Sequence, residues 1–557
     1  MARWGRLAKK CAAFLLLAGA WFTAGAAVAA APATTVFLGG AIYTENPKQP
    51  WAGALVVRDD RIAYVGSDTG ARPFITKGAR VVPLRGRMML PGFHDAHAHP
   101  MSASLRFLRC QLGGKTDKAA LFAAMRACSV AHRDAAWIVG YEWPSKAFKK
   151  HPLTRAELDT LVPDRPAYIA NEAGFGAWVN SHALAAAGID PATNPAGYVS
   201  DDALERLHAK IPRASEAEYR AALKLWTVKA NAFGITSVFD AAASPPMVEA
   251  YHATDLAGEL KLRVVAAQLV DPKRGVEQVD EMIVRRDSTR GPRFRADAAK
   301  IFLDGEIGQH TAALLAPYAD KPDSSGALFV QSDVLKMLVR RLDEERFLIH
   351  IHVMGDAAVR TGLDAFEAAI RANGTDDRRH QLAHVALADP DDTARFGAIQ
   401  VAANFSPGWF RDDDPDMAAT KTALGPKRAA WLYPVARIAE SGGRIVMSSD
   451  WPATAMNPLD GIEAAVTRRP FIAAKGKRWS QSINLDLALK AYTFNAAWVV
   501  RDDMDNGSLE IGKQADLIVL ERNLFKIPAR SIHKTRVLLT LLDGEPVYRD
   551  KRLPWRT

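Results

Sequence analysis

Cysteine is scarce in this sequence, with three in 557 residues. Cys11 lies at the start of the N-terminal apolar run, which is the wrong end for a lipoprotein cleavage box. The other two, Cys110 and Cys128, allow at most one disulfide. Either a bridge formed in an oxidising compartment or a pair of buried free thiols is consistent with this composition.

Other absences exclude further classes of protein. No basic run with interleaved aromatic residues is present, and the formal net charge of +10 includes four basic residues of the N-terminal leader. We therefore expect no nucleic-acid partner. No Gly-x-Gly-x-x-Gly opens a helix, which disfavours an open dinucleotide-binding sheet.

The first thirty residues are typical of a bacterial export signal. A basic start is followed by an apolar run from Cys11, and small residues at 27–29 offer a cleavage site. The apolar run is shorter than the roughly 20 residues that cross a bilayer, so a membrane span is the less favoured alternative. We predict a mature chain that begins near Ala30 or Ala31, is periplasmic or secreted, and has no stable membrane insertion.

Both ends of the mature chain show short strand patterns separated by turns. Apolar and polar residues alternate near period two in residues 35–90, and the last part of the chain is similar. We therefore expect one small β-sandwich built from both termini, over residues 31–88 and 505–557. The central domain is predicted at 89–504.

The middle of the chain alternates β-branched runs with helical stretches, which predicts βα units. Eight parallel strands with helices between them close as an α/β (β/α)8 TIM-type barrel, with an open doubly wound sheet as the alternative. The predicted strands are 90–95, 235–239, 262–267, 299–303, 347–351, 380–383, 399–404 and 445–449. The long interval between the first two strands predicts an insertion, at about 105–230, that covers the barrel mouth.

Three histidines and an aspartate fall within PGFHDAHAHP, residues 91–100. Alternate residues of a strand share a face, so His97 and His99 should point together towards the barrel axis as half of a metal site. His94 is an odd number of residues from both, so its side chain is expected on the opposite face of the strand. Asp95 shares the parity of the pair and is either a ligand or an acceptor that orients one.

Further candidate ligands stand at the predicted C-terminal ends of other strands. His352, His384 and Asp450 occupy such positions, and their convergence on one barrel end favours a metal site over isolated core histidines. Imidazole and carboxylate ligands without a thiolate suit zinc. Lys300 is either an ion-paired lysine or a buried amine that reacts with carbon dioxide to give a carbamate bridging two metals.

With these residues assembled, the chain resembles the amidohydrolase superfamily, and within it the YtcJ-like branch, over essentially all of its mature length. The matching segments are LPGFHDAHAH, KIFLDGEIG, HVMGDAAV, AHV, SSDWP, TFNAA and GSLEIGKQADLIVL. The resemblance implies a set of metal ligands on two ions. These are His97 and His99 on the deeper metal, Lys300 as a carbamylated bridge, His352 and His384 on the second metal, and Asp450 as both ligand and general base.

Two residues depart from the pattern of the relatives, and both are expected near the substrate. Phe175 stands where a histidine is common, and Glu306 stands where a small serine is usual. Glu306 either meets a cationic substrate or is a solvated loop carboxylate. Trp143 and Trp409 are the tryptophans that we expect in the substrate pocket rather than in a core.

The sequence therefore predicts an exported hydrolase that cleaves a carbon–nitrogen bond, most simply an amide or N-acyl bond, in a small molecule. One or two zinc ions, or another divalent metal, would activate water, and Asp450 would take its proton and return it to the departing nitrogen. The alternatives are a deaminase, an ester or lactone hydrolase, and a non-catalytic binding protein. The assembly state, including a homodimer, is left open.

Overall fold

The computed structural model describes residues 34–171, 176–374, 377–410, 415–468 and 481–555. The predicted export signal and Phe175 lie outside these ranges. Within them, no helix combines the length and apolar character needed to span a membrane.

Eight parallel strands form the central sheet, and their order in space follows their order in the chain. The strands are Phe93–Ala98, Ile235–Ala243, Arg263–Leu269, Phe294–Phe302, Leu348–Val353, Gln381–His384, Ala402–Phe405 and Ile445–Met447. Beyond the eighth strand, the amide of Asp450 donates to the carbonyl of His97 at 2.7 Å, and the amide of His99 donates to Trp451 at 2.9 Å. The sheet thereby returns to its first strand, and the predicted (β/α)8 barrel is confirmed.

Helices separate the barrel strands and cover the sheet. Those that precede strands two to eight are Glu216–Ala232, Pro245–Leu256, Gln278–Ser288, Ser332–Glu344, Asp356–Asn373, Thr393–Ala398, and the pair Pro415–Ala429 and Val435–Glu440. In the described ranges, three more follow the eighth strand, at Pro458–Thr467, Leu485–Tyr492 and Phe494–Val499. In Ser332–Glu344 the buried residues Leu335, Leu338, Val339 and Leu342 recur at helical spacing, which turns one apolar face towards the core.

The sandwich draws on both ends of the chain. Its four-stranded sheet contains Arg61–Gly66, Ala54–Arg58, Thr34–Leu38 and Arg80–Pro83. Its six-stranded sheet contains Glu545–Arg549, Val537–Leu542, Leu517–Leu520, Met88–Pro91, Ala41–Tyr43 and Trp51–Ala52. Phe37 and Leu55 of the first sheet share one buried core with Val519 and Leu539 of the second, so the predicted sandwich is confirmed.

The chain passes from the sandwich to the barrel at Gly92. The sequence predicted one strand at 90–95, but the structure has two, with Met88–Pro91 in the sandwich and Phe93–Ala98 in the barrel. A Cβ atom at residue 92 would lie 2.2 Å from Oγ1 of Thr236, so this close approach requires glycine. Residues 89–91 therefore belong to the sandwich, and the first barrel strand extends far enough to include His97.

The insertion between the first two barrel strands is an α/β unit with its own core. The strands in its described part are, in spatial order, Tyr198–Val199, Ala177–Val179, Ala167–Asn171, Ile138–Trp143 and Cys110–Gln111. Its helices are Lys118–Ala131, Arg155–Leu161, Ser181–Ala186 and Asp201–His208. It reaches the barrel through Phe107, whose ring stacks on that of Trp451 with centroids 5.9 Å apart.

Cys110 and Cys128 form a disulfide that ties the edge strand of this insertion to its first helix. Replacing both by serine should destabilise the insertion by about 3 kcal/mol, because the bridge closes a loop with a sequence separation of 18 and restricts the unfolded chain. Thermal unfolding and limited proteolysis would measure the change. Reductant-treated wild-type protein should behave like the double variant, and an unchanged unfolding midpoint would contradict the expectation.

Candidate metal centre

A cavity of about 540 Å³ opens at the carboxyl ends of the barrel strands. The structure leaves Asp95 outside its lining and brings the other six ligand candidates from the sequence into it. These residues are His97, His99, Lys300, His352, His384 and Asp450. Active sites of this kind of barrel lie at this end, where the loops that follow the strands converge.

Asp450 is the centre of the cluster. Its Oδ1 lies 3.5 Å from Nε2 of His97 and 3.6 Å from Nε2 of His99, and its Oδ2 lies 3.8 Å from Nδ1 of His384. One ligand atom each from His97, His99 and Asp450 lie within 4.8 Å of one another. This spacing suits donors around one divalent ion with bonds of about 2 Å.

The backbone is constrained where two of these residues leave their strands. His384 and Asp450 have φ angles of 72° and 52°, in the left-handed region that non-glycine residues seldom occupy. Such a conformation costs on the order of 1 kcal/mol or more and is found at sites where the surrounding structure imposes it. Here it directs both side chains into the cavity.

Lys300 is fully buried, and its Nζ has no hydrogen-bond partner within the described part of the chain. Burial lowers the pKa of its amine from 10.5 to about 7. Nε2 of His352 is also buried and without a hydrogen bond there. Buried polar atoms normally have partners, so this pair of atoms fits a site that holds a metal and its bridging ligand.

Three histidines of the cluster, His97, His352 and His384, are in the neutral form that binds metals. Burial, with a smaller contribution from Lys300, lowers the pKa of His352 to about 3 and that of His97 well below 6.5. Burial also lowers the pKa of His384 well below 6.5, followed by the effect of His352. All three imidazoles are therefore neutral near pH 7, as metal ligation requires.

Trp409, expected near the substrate, lines the cavity and contacts the cluster directly. Its indole Nε1 donates a hydrogen bond to Oδ2 of Asp450 at 3.1 Å. The indole therefore restrains the carboxylate and leaves Oδ1 directed towards His97 and His99.

Replacing Trp409 by phenylalanine should lower kcat by about tenfold, because a hydrogen bond to a charged group contributes roughly 1.5 kcal/mol. Zinc content should not change, since the indole is not a ligand. Steady-state kinetics with elemental analysis would measure both quantities. Trp431→Phe, a change at an indole that does not line the cavity, serves as the control, and equal rates for the two variants would exclude the positioning role.

The other substrate candidates have different outcomes. Glu306 lines the cavity, and Phe175 lies outside the described residues. Trp143 is 6% exposed and packs in the core of the insertion, with ring centroids 6.3 Å from Phe148 and 6.4 Å from Trp178. The expectation that Trp143 lines the pocket is therefore corrected, because its ring fills that core instead.

Among the described residues, those that line the cavity belong to the barrel. Within the described residues, the lining includes the large apolar side chains of Phe302, Met354, Met417 and Tyr433, and no residue of 105–230 contributes. The prediction that the insertion covers the barrel mouth stays a prediction.

Two supporting residues were not singled out from the sequence. Asp304 accepts hydrogen bonds from the amides of Ala313, Met354 and Gly355 at 3.0, 2.9 and 2.8 Å, and its Oδ1 lies 3.9 Å from Nε2 of His352. It thereby organises the loop that follows the fifth strand. The sequence offered one indication of Asp304, which is its position just after the fourth strand and four residues beyond Lys300.

His350 supports His97. Its Nε2 lies 2.9 Å from Nδ1 of His97, an arrangement that sets the tautomer of His97 and leaves Nε2 for a metal. The sequence indicated His350 through its position two residues before His352 in LIHIH, which places both side chains on the same face of the strand.

Asp95 accepts hydrogen bonds from the amide and hydroxyl of Ser449, so it joins the first strand to the end of the eighth instead of facing a ligand.

Comparison with known proteins agrees with this geometry. The amidohydrolase family matches residues 80–548. The chain belongs to the amidohydrolase family. Within its YtcJ-like branch, the putative amidohydrolase YtcJ of Bacillus subtilis is 26% identical over 537 residues, which cover 92% of this chain and 99% of the relative.

Two further similarities extend over most of the chain. N-substituted formamide deformylase of Arthrobacter pascens is 25% identical over 538 residues, which cover 90% of this chain and 96% of the relative. The crystal structure of an uncharacterized metal-dependent hydrolase from Pyrococcus furiosus matches with a TM-score of 0.76 and 25% identity, covering 88% of this chain and 100% of that chain. This amidohydrolase therefore has the fold of a metal-dependent hydrolase and a candidate metal site in the expected place.

Proposed function

We propose that this protein is an exported, metal-dependent amidohydrolase that cleaves an amide or N-acyl carbon–nitrogen bond in a small molecule. The observation that carries the proposal is the cluster of His97, His99 and Asp450 beside the buried Nζ of Lys300, which has no hydrogen bond to the described residues. The similarity to an N-substituted formamide deformylase supports an N-acyl bond as the target.

We propose zinc as the metal, with one or two ions per chain. His97, His99 and Asp450 would hold one ion, and His352, His384 and a carbamylated Lys300 are available for a second. The donors are imidazoles and carboxylate oxygens, which suit zinc and need no thiolate. Bound zinc would lower the pKa of its water and polarise the carbonyl of the substrate.

The residues of the chain handle the proton and the substrate. Asp450 accepts the proton of the attacking water and returns it to the leaving nitrogen. Trp409 keeps the Asp450 carboxylate in place through its N–H. Phe302, Met354 and Tyr433 give the cavity an apolar wall that receives the acyl or amine substituent and displaces water.

Lys300 is proposed to be carbamylated. Its neutral amine would attack carbon dioxide, form a nitrogen–carbon bond and lose a proton, which converts the amine into an anionic ligand. Zinc added to metal-free protein should restore several-fold more activity with bicarbonate than without it. Lys300→Met should show no bicarbonate dependence, and equal recovery of the wild-type protein without bicarbonate and carbon dioxide would exclude the carbamate.

A substrate panel on the zinc-loaded protein tests the reaction class. It should contain N-formyl and longer N-acyl amines, amino-substituted heterocycles, and esters and lactones, with free amine, ammonia and acid measured separately. Release of amine from N-acyl compounds is the expected result. Ammonia from heterocycles would indicate a deaminase, acid from lactones alone would indicate an ester hydrolase, and binding without turnover would favour a non-catalytic protein.

Export is supported by two features of the chain. The first thirty residues have the pattern of a cleaved signal, and the Cys110–Cys128 disulfide suits an oxidising compartment. Fractionation of expressing bacteria should recover the protein outside the cytoplasm with an N-terminus near Ala30 or Ala31. An intact Met1 on cytoplasmic protein would contradict export.

A further inference from the structure

A second cavity, of about 220 Å³, lies at the amino end of the barrel, opposite the metal centre. His94 pairs with Ser237 across the first two strands, and Ser237 pairs with Arg263 across the next two. These three side chains therefore stand in one row along the cavity. Asn506, which follows the last helix, closes another side.

Several buried polar groups of this cavity have no hydrogen-bond partner among the residues that the structure describes. Oγ of Ser237 and Oδ1 of Asn506 are buried without a hydrogen bond within the described ranges. His94 is 4% exposed, and its ring has no hydrogen bond to the described residues. Buried polar groups are normally satisfied, so a ligand that both accepts and donates hydrogen bonds would complete this site.

An anion is favoured by Arg290, the lining arginine that pairs with no carboxylate in the described part of the chain. Arg263, Arg290, Arg293 and Arg295 line the cavity. The lining carboxylates are already engaged, since Asp502 pairs with Arg295 at 2.8 Å, Asp505 pairs with Arg61 at 2.8 Å, and Asp95 binds Ser449.

Three of the four arginines are held in fixed positions. Arg263 and Arg293 both pair with Asp543, and Arg295 pairs with Asp297 as well as Asp502. Arg290 is exposed and has no ion-pair partner in the described part of the chain. Its guanidinium is therefore free to bind a ligand that enters the cavity.

We propose that this cavity binds a small, singly protonated oxyanion of the phosphate class. Ser237, His94 and Arg290 donate to its oxygens, and Oδ1 of Asn506 accepts a hydrogen bond from its remaining O–H. Hydrogen phosphate carries such a group near neutral pH, whereas sulfate does not. The site uses no residue of the metal centre and does not depend on the hydrolytic reaction.

Calorimetric titration of the zinc-loaded protein with inorganic phosphate tests the site. Arg290→Ala, at an exposed position, and Ser237→Ala should each weaken binding at least fivefold with zinc content unchanged. Arg126→Ala removes an exposed arginine from the insertion and should bind like wild type. Sulfate should bind at least fivefold more weakly than phosphate, and equal binding would overturn the choice of a protonated oxyanion.

The metal centre could also attract phosphate, so the position of the anion must be determined directly. Crystals of the zinc-loaded protein soaked in arsenate should give an anomalous peak between Ser237 and Arg290. A peak at the metal centre alone would overturn the proposal. Phosphate affinities of Arg290→Ala and Ser237→Ala equal to that of wild type would also overturn it.

Discussion

Replacing Asp450 by asparagine should lower kcat about a thousandfold or more while the protein stays folded and keeps most of its metal. Asparagine retains a side-chain oxygen near His97 and His99 but cannot take a proton from water. General acid–base catalysis contributes roughly 10²- to 10⁴-fold, which sets the expected loss. Steady-state hydrolysis, zinc per chain by elemental mass spectrometry, and circular dichroism would measure rate, metal and fold separately.

Asp356→Asn is the matched control for this experiment. Asp356 begins the helix that follows His352 and accepts the amide of Leu315 at 2.9 Å, a role that asparagine can take over. Its variant should keep nearly full activity. An undiminished rate for Asp450→Asn would remove Asp450 from the role of general base, and loss of metal from that variant would show that ligation is its larger contribution.

Replacing His97 by alanine should lower zinc occupancy at least tenfold and reduce hydrolysis to background. The change removes the buried imidazole whose Nε2 lies 3.5 Å from Asp450 and whose orientation His350 sets. Loss of a residue that only hydrogen-bonds to a metal ligand typically lowers metal affinity or activity 10- to 100-fold. Loss of the ligand itself should therefore lower them further. Zinc per chain is measured on protein purified without chelators.

His94→Ala provides a control within the same strand. His94 lies three residues before His97 but lines the cavity at the other end of the barrel. Its variant should bind zinc like wild type and should weaken phosphate binding. A full zinc complement in His97→Ala would remove this histidine from the ligand set.

Local sequence patterns were sufficient to predict the barrel and to identify the candidate metal ligands. Strand and helix periods are set by neighbouring residues, so eight βα units and two β-rich ends could be recognised from the chain alone. The same local rule places residues at strand ends on one rim, because all the strands are parallel. His97, His352 and Asp450 could therefore be proposed together although more than 250 residues separate the first from the second.

The sequence by itself determined the fold class, the end of the barrel that carries the site, and the residue types that suit zinc. Only the tertiary structure decided that the strand boundary falls at Gly92, that Trp143 fills a core while Trp409 holds Asp450, and that Asp304 and His350 support the ligands. These outcomes depend on contacts between residues far apart in the chain. The periodicity of a strand or helix specifies which of its faces a side chain occupies. The packing of elements that are distant in the chain specifies which residues that face contacts.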